Sequence, residues 1–277
     1  MTIPQLVERG IDIIEYNPGV DTPGENFKEI WNWDKRDKFP SISADHAVRK
    51  DRNYAIRPDY KNVDIDFDDG ITRALSVFYF NDRIKYGRFG KGHCIQQISN
   101  PTEFTRYQIK FDDIVLIELR GDKNVSVCKG KIDDTQYGEA DIYMPKQDPE
   151  VLTYEETRRR VNEIGLITQL VRGFSGSVNE YIIPVAGEML KSNIPMETVE
   201  MVFSRFLSMI GRSEREKETT KSIHALNPEK YSNLDKLDWS KRNIDAVRKT
   251  IRELSDGLVQ KEYKKPQTME WTALSTI

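Results

Sequence analysis

The stretch Val63-Asp64-Ile65-Asp66-Phe67-Asp68-Asp69-Gly70 constrains the fold of this chain more than any other. Val63, Ile65 and Phe67 alternate with acids, which is the pattern of a strand with one apolar face. Side chains alternate across a strand, so Asp64 and Asp66 leave together on the other face, about 7 Å apart. Two carboxylates held that close repel, and a cation between them relieves the repulsion. Oxygen-only ligands favour a hard ion such as Mg²⁺ or Mn²⁺. A polar turn accounts for Asp68, Asp69 and Gly70, because Asp-Asp-Gly is good turn chemistry. It does not account for Asp64 and Asp66, which lie inside the apolar alternation. A calcium loop counted from Asp64 puts Asp69 where glycine is needed and Leu75 where a bidentate Glu is needed, and is rejected. An Asp-x-Asp phosphatase nucleophile stays open.

The chain has 277 residues, enough for two ordinary domains. With 31% charged residues and a net charge of only -3, it has no global basic signature for nucleic acid, so any such surface must be local. Residues 211–265 carry 14 Lys and Arg against 10 Asp and Glu, which leaves the rest of the chain acidic. The two cysteines, Cys94 and Cys128, sit in apolar runs without a Cys-x-x-Cys partner. They are expected to be reduced core thiols in a reducing compartment, with no zinc site. No signal peptide and no apolar run near 18 residues is seen, so a cytoplasmic protein without a membrane span is expected.

Residues 3–9 read as a short helix, and Ile11 to Tyr16 as a strand. Residues 17–52 read as long loops anchored by Trp31 and Trp33, followed by strands over 54–56 and 62–67. Ala74 to Phe80 is a β-prone apolar run. Lys85 to His93 is a glycine-rich basic loop that delivers His93 to the start of the next strand. Such a loop lets backbone approach a ligand closely, with Arg88, Lys91 and His93 as phosphate donors; alone it reads first as a flexible hairpin loop with solvated charges. Further strands are expected around Tyr107–Ile109, Ile114–Arg120 and Val125–Val127. Glu118 interrupts the second of these, where an acid requires a partner such as Arg120 or a metal.

From about residue 150 the pattern turns helical. Val161, Ile164, Thr168 and Val171 share one face. Ser177 with Glu180, and Ser213 with Glu216, spell capping boxes. Pro184 is expected to kink its helix and Pro195 to open the next. A last helix runs roughly from Ser240 to Leu258. The predicted organisation is an α+β domain over 1–150 with a mixed or antiparallel sheet, which the resemblance given below makes the catalytic domain. An all-α helix bundle over 151–260 and a tail over 261–277 follow.

Three motifs therefore occur in order: Val63-Asp64-Ile65-Asp66; Tyr86-Gly87-Arg88 running into Gly90-Lys91-Gly92-His93; and Ile117-Glu118-Leu119-Arg120-Gly121-Asp122. This order resembles the archaeo-eukaryotic primase superfamily, in particular the primase–polymerases of plasmids and viruses. The resemblance spans roughly residues 3 to 228. It departs from the family at Val20-Asp21-Thr22-Pro23, which lacks the usual lysine, at Cys128-Lys129-Gly130-Lys131, and at Gly176-Ser177-Val178-Asn179, which lacks an arginine.

The resemblance implies an RRM-type core and template-directed nucleotidyl transfer by a DNA primase or polymerase. Asp64, Asp66 and Glu118 would hold two divalent ions, Mg²⁺ or Mn²⁺. His93, Lys91, Arg88 and Arg120 would bind the triphosphate of a dNTP or NTP. The helical part would contact single-stranded DNA, with helix starts at Ser177 and Ser213 as anion sites. Lys241, Arg242, Arg248 and Lys249 form a basic face that reads first as a solvated helix surface and second as a track for phosphates. A replicative helicase is an implied partner, and the host cell of a virus or plasmid the implied setting. Two other classes compete: a metal-dependent phosphohydrolase or nuclease, and a non-catalytic replication-initiator module that binds DNA. Against the first, position 120 is Arg where a nuclease prefers Lys, and position 68 is Asp where a phosphatase prefers Thr or Val.

Overall fold

The acid-bearing strand forms as the alternation requires and lies inside a sheet. In the computed structural model, residues 2–16, 39–81, 83–87, 92–129, 141–143, 149–231 and 233–262 are described. The strands are β1 (Ile13–Tyr16), β2 (Asn53–Ile56), β3 (Asn62–Phe67), β4 (Ile84–Gly87), β5 (Gly92–Gln97), β6 (Arg106–Phe111), β7 (Ile114–Arg120), β8 (Ser126–Lys129) and β9 (Asp141–Tyr143). A six-stranded sheet has the order β6-β7-β3-β5-β4-β9, and a three-stranded sheet the order β1-β2-β8. All pairings within them are antiparallel. The helices are α1 (Ile3–Glu8), α2 (Gly70–Tyr79), α3 (Tyr154–Gly173), α4 (Val178–Lys191), α5 (Met196–Met209), α6 (Glu216–His224), α7 (Pro228–Tyr231) and α8 (Lys241–Glu262). The protein is thus α+β with antiparallel sheets. Among the described residues no helix is long and apolar enough to cross a membrane.

Every residue of β3 is buried, so both faces of the strand are covered. Val63, Ile65 and Phe67 face the helices and share one apolar cluster with Leu75 of α2, Val161 and Ile164 of α3, and Val247 and Ile251 of α8. A second cluster covers the opposite face, where Ile3 and Leu6 of α1, Ile13, Tyr54 and Ile56 meet Ile84, Tyr86 and Ile95. The acids of β3 lie on this second face. The change from strands to helices near residue 150 falls where expected. The core does not divide there, because the first cluster runs without a break from the sheet through α3 to α8. The helices over 151–260 therefore share the sheet's core. α3 packs against β6 and β7 on one side and against α2, α5 and α8 on others, and ten successive residues from Val161 to Leu170 are buried.

Ala74–Phe80, expected as a β-prone run, belongs to helix α2. An apolar run of this length does not reveal its period, and tertiary packing decides it. The Asp69 side chain caps the helix by accepting from Ile71 N at 2.7 Å. Only the stripe Thr72, Leu75 and Ser76 is buried, while Val77 and Phe78 are 47% and 53% exposed. The two capping boxes also differ from expectation. Ser177 stands at the N-cap of α4 without a side-chain bond, and Ser213 opens a 3₁₀ turn ahead of α6. Ser213 is therefore no α-helix start. α4 continues through Pro184, and Pro195 caps α5 rather than opening it. The region around Trp31 and Trp33 and the tail beyond 262 lie outside the described residues.

Cys94 and Cys128 are both free and fully buried. Burial pushes both thiols up, Cys128 to about 12. The thiolate is the reactive form, so neither should react in the native protein. A chromogenic thiol titration should read essentially none in buffer and two in denaturant.

Candidate metal centre

The site is built by strand register. β3 pairs with β5 on one side and β7 on the other, which sets Asp66 opposite both His93 and Glu118, and Asp64 opposite Arg120. Cross-strand neighbours on one face have Cβ atoms about 5 Å apart, so all five side chains converge. β6 extends the row, with Gln108 opposite Glu118 and Arg106 opposite Arg120. Asp64, Asp66, His93, Glu118 and Arg120 are all buried.

Arg120 lies among the acids. It forms an ion pair with Asp66, donates from Nε to Glu118 Oε2 at 2.8 Å and from Nη1 to Ser126 Oγ at 3.0 Å, and stands 3.7 Å from Asp64. Ser126 of β8 donates in turn to Asp64 Oδ2 at 2.7 Å. His93 places Nδ1 3.2 Å from Asp64 Oδ2 and Nε2 3.5 Å from Asp66 Oδ1, and its ring stacks on Tyr86 at 4.9 Å. Glu118 Oε1 accepts from Gln108 at 3.0 Å and pairs with Arg106 at 2.6 Å.

The charges follow from these neighbours. Burial pushes the Asp64 carboxyl up, but His93, Arg120 and Tyr86 outweigh it and hold Asp64 at about 2. Burial pulls the His93 imidazole down, but Asp64 and Asp66 raise it above its ordinary value. The two carboxylates thus favour the imidazolium against the pull of burial. Asp66 is raised, chiefly by burial, with Asp64 and Asp68 adding to it against His93 and Arg120. Asp64 and His93 thus form a pair, and Asp66 carries the frustrated charge.

Asp66, Asp68 and Glu118 bring ligand oxygens within 4.8 Å of one another, the spacing that could hold a metal ion. Asp66 Oδ1 is buried and accepts no hydrogen bond. With only the His93 ring nitrogen beside it, at 3.5 Å, this oxygen in an all-oxygen cluster fits a hard cation such as Mg²⁺ or Mn²⁺. This set differs from the expected Asp64, Asp66 and Glu118. Asp64 lies one pleat deeper, where His93 and Ser126 engage its oxygens. Asp68, assigned to the turn in the sequence, continues the Asp64–Asp66 alternation past the strand end and joins the cluster. The alternation was the signal that could have found it. Arg106 and Gln108 left no such signal, because only register brings them in, and neither did Ser126, which packing of the second sheet brings in.

The expected phosphate donors are placed differently too. His93 and Arg120 turn their nitrogens to carboxylates, since the register sets both against acids. Arg88 and Lys91 lie outside the described residues. Nor do the basic residues of α8 form one free face. Arg242 pairs with Asp113, and Arg248 with Asp235 at 3.1 Å and Glu188 at 3.7 Å. Lys241 is exposed at the helix start, and Lys249 lines a groove against β6.

Gly121, directly after Arg120, is required by packing. A Cβ there would stand 2.4 Å from the Phe104 carbonyl oxygen, which is backbone and cannot yield. Gly121→Ala should lower stability by about 1–3 kcal/mol in urea unfolding.

The fold and site together define an α+β protein with a carboxylate cluster on its sheet, balanced by two arginines and one histidine. Comparison with protein-family models gives no match, and comparison with curated proteins gives none.

Proposed function

We propose that this protein is a metal-dependent nucleotidyltransferase that copies single-stranded DNA, as a primase, a polymerase or both. The observation that carries the reading is the cluster of Asp66, Asp68 and Glu118 with His93 in register beside Asp66. The order of the three sequence motifs supports it.

In this reading Asp66, Asp68 and Glu118 hold the cation, which lowers the pKa of the attacking hydroxyl and offsets charge on the triphosphate. His93 and Arg120 keep Asp64 and Asp66 in place. Arg106, half-exposed, pairs with Glu118 at 2.6 Å and holds it in the cluster. A replicative helicase would unwind the template for such an enzyme.

Arg120 favours a second reading. A guanidinium already neutralises these acids, so the centre could serve as a structural ion-pair network in a non-catalytic DNA-binding initiator module. The decisive experiment offers single-stranded DNA and labelled dNTPs or NTPs with Mn²⁺ or Mg²⁺. New oligonucleotides without a primer establish a primase. Extension only from a primer establishes a polymerase. No incorporation under any of these conditions overturns the nucleotidyl-transfer reading and leaves the metal-dependent hydrolase and the initiator module.

A further inference from the structure

We infer that the exposed face of α2, together with Arg205 of α5, is a surface for single-stranded DNA. This rests on the nucleotidyl-transfer reading, in which that strand is the template. α2 starts at Gly70, two residues past Asp68, so a strand lying along it reaches the edge of the acid cluster.

Three observations identify the occupant. First, the face is apolar and open. Four large apolar side chains are exposed among the described residues, and two of them, Val77 and Phe78, stand side by side on this helix. Ala74, one turn before Phe78, is exposed as well. Contiguous apolar surface of this kind marks an interaction site. Second, the cations beside it are unspent. The Arg205 guanidinium stacks on the Phe78 ring, 3.9 Å from its centroid. Tyr79 Oη donates to Met201 Sδ at 3.1 Å, which ties α2 to α5 at this point. Arg73 lies one turn before Val77, with its stem across the start of β5. A Cβ at Gly92 would stand 3.3 Å from Arg73 Cδ, and one at Gly70 would stand 3.6 Å from its Nη2. Gly92 adjoins His93, so Arg73 joins this face to the acid cluster. Neither Arg73 nor Arg205 forms an ion pair among the described residues, and α2 carries no acid. Both arginines are partly exposed, and no nitrogen of either is shut away from solvent. Third, the chemistry selects a single strand. Guanidinium groups fork onto phosphates, and an aromatic ring stacks a base that is free of a duplex. Phe78 lies eight residues past Gly70, about 12 Å along the helix, within a short stretch of template. Such a strand repeats phosphate and base in one unit, which matches guanidinium and ring together.

The test is fluorescence anisotropy with a labelled oligothymidylate, in EDTA and without nucleotides, so that metal chemistry at the acid cluster does not enter. Phe78→Ala should weaken binding at least about fivefold, the loss of one stacked base. Arg73→Gln combined with Arg205→Gln should weaken it too. That double variant should also lower the slope of log affinity against log salt by about 1.4, for two phosphate contacts. All three side chains are partly exposed, so both variants should fold. Phe78→Ala should leave the affinity for a duplex of the same length unchanged. Wild-type protein that binds no oligothymidylate overturns the inference and leaves the patch to a protein partner with acidic groups. An equal loss of duplex affinity in Phe78→Ala overturns the stacking role and the inference with it. Template copying by wild type, with binding that both variants leave unchanged, would sink this inference alone. Absence of copying, with binding that both variants lose, would sink the catalytic reading alone.

Discussion

Asp66→Asn should lower metal-dependent nucleotide incorporation by more than about 100-fold, and Asp68→Asn should do the same. Loss of an outer partner of a metal ligand typically costs 10- to 100-fold, and loss of a ligand oxygen should exceed that. The comparison with Asp64→Asn is the informative part. Asp64 belongs to the His93–Ser126 network, outside the Asp66–Asp68–Glu118 cluster. Its substitution should act through His93, whose raised pKa depends first on Asp64 among the groups that raise it. The His93 resonance should then titrate at lower pH in Asp64→Asn, as NMR can follow, while Mn²⁺ affinity changes less than in Asp68→Asn. Equal loss of Mn²⁺ affinity in Asp64→Asn and Asp66→Asn, with Asp68→Asn unaffected, would return the metal set to Asp64, Asp66 and Glu118.

Arg120→Met should cause the largest loss of stability, about 3–5 kcal/mol at neutral pH in metal-free buffer. Met keeps the apolar stem, so the loss comes chiefly from leaving Asp66 buried without its guanidinium and Glu118 with Arg106 alone. Two further measurements identify that cause. Mn²⁺ should restore more stability to the variant than it adds to wild type, because the cation replaces the lost charge. The deficit should also shrink as pH falls, because protonated acids need no counter-charge.

The sign in wild type differs between the two aspartates. Asp66 titrates above its unfolded value, so its native form binds more protons. Its contribution to stability falls as pH rises through the window between the two values. Asp64 sits at about 2, below its unfolded value. Its contribution is full above the ordinary carboxylate range and is lost as pH falls toward about 2. A deficit in Arg120→Met that is independent of both pH and metal would point to packing instead of charge.

The sequence by itself determined the acid strand, the positions of most strands, His93 at a strand start, and the turn to helices near residue 150. These depend on local alternation and helical spacing, which a strand or helix carries within itself. It also drew attention to Glu118, because an acid in an apolar run demands a partner. Tertiary structure alone decided which partner each acid received. Residues 64 and 66 have the same local pattern. Register against β5 and β7 sets Asp66 between His93 and Glu118, packing of β8 from the other sheet brings Ser126 to Asp64, and Asp66 is left with an oxygen that accepts no hydrogen bond beside Asp68 and Glu118. It likewise turned Ala74–Phe80 into a helix, since the Asp69 cap and the half-buried position outweighed β propensity. Charge pairing, like burial, depends on neighbours far apart in sequence, and no local pattern contains them.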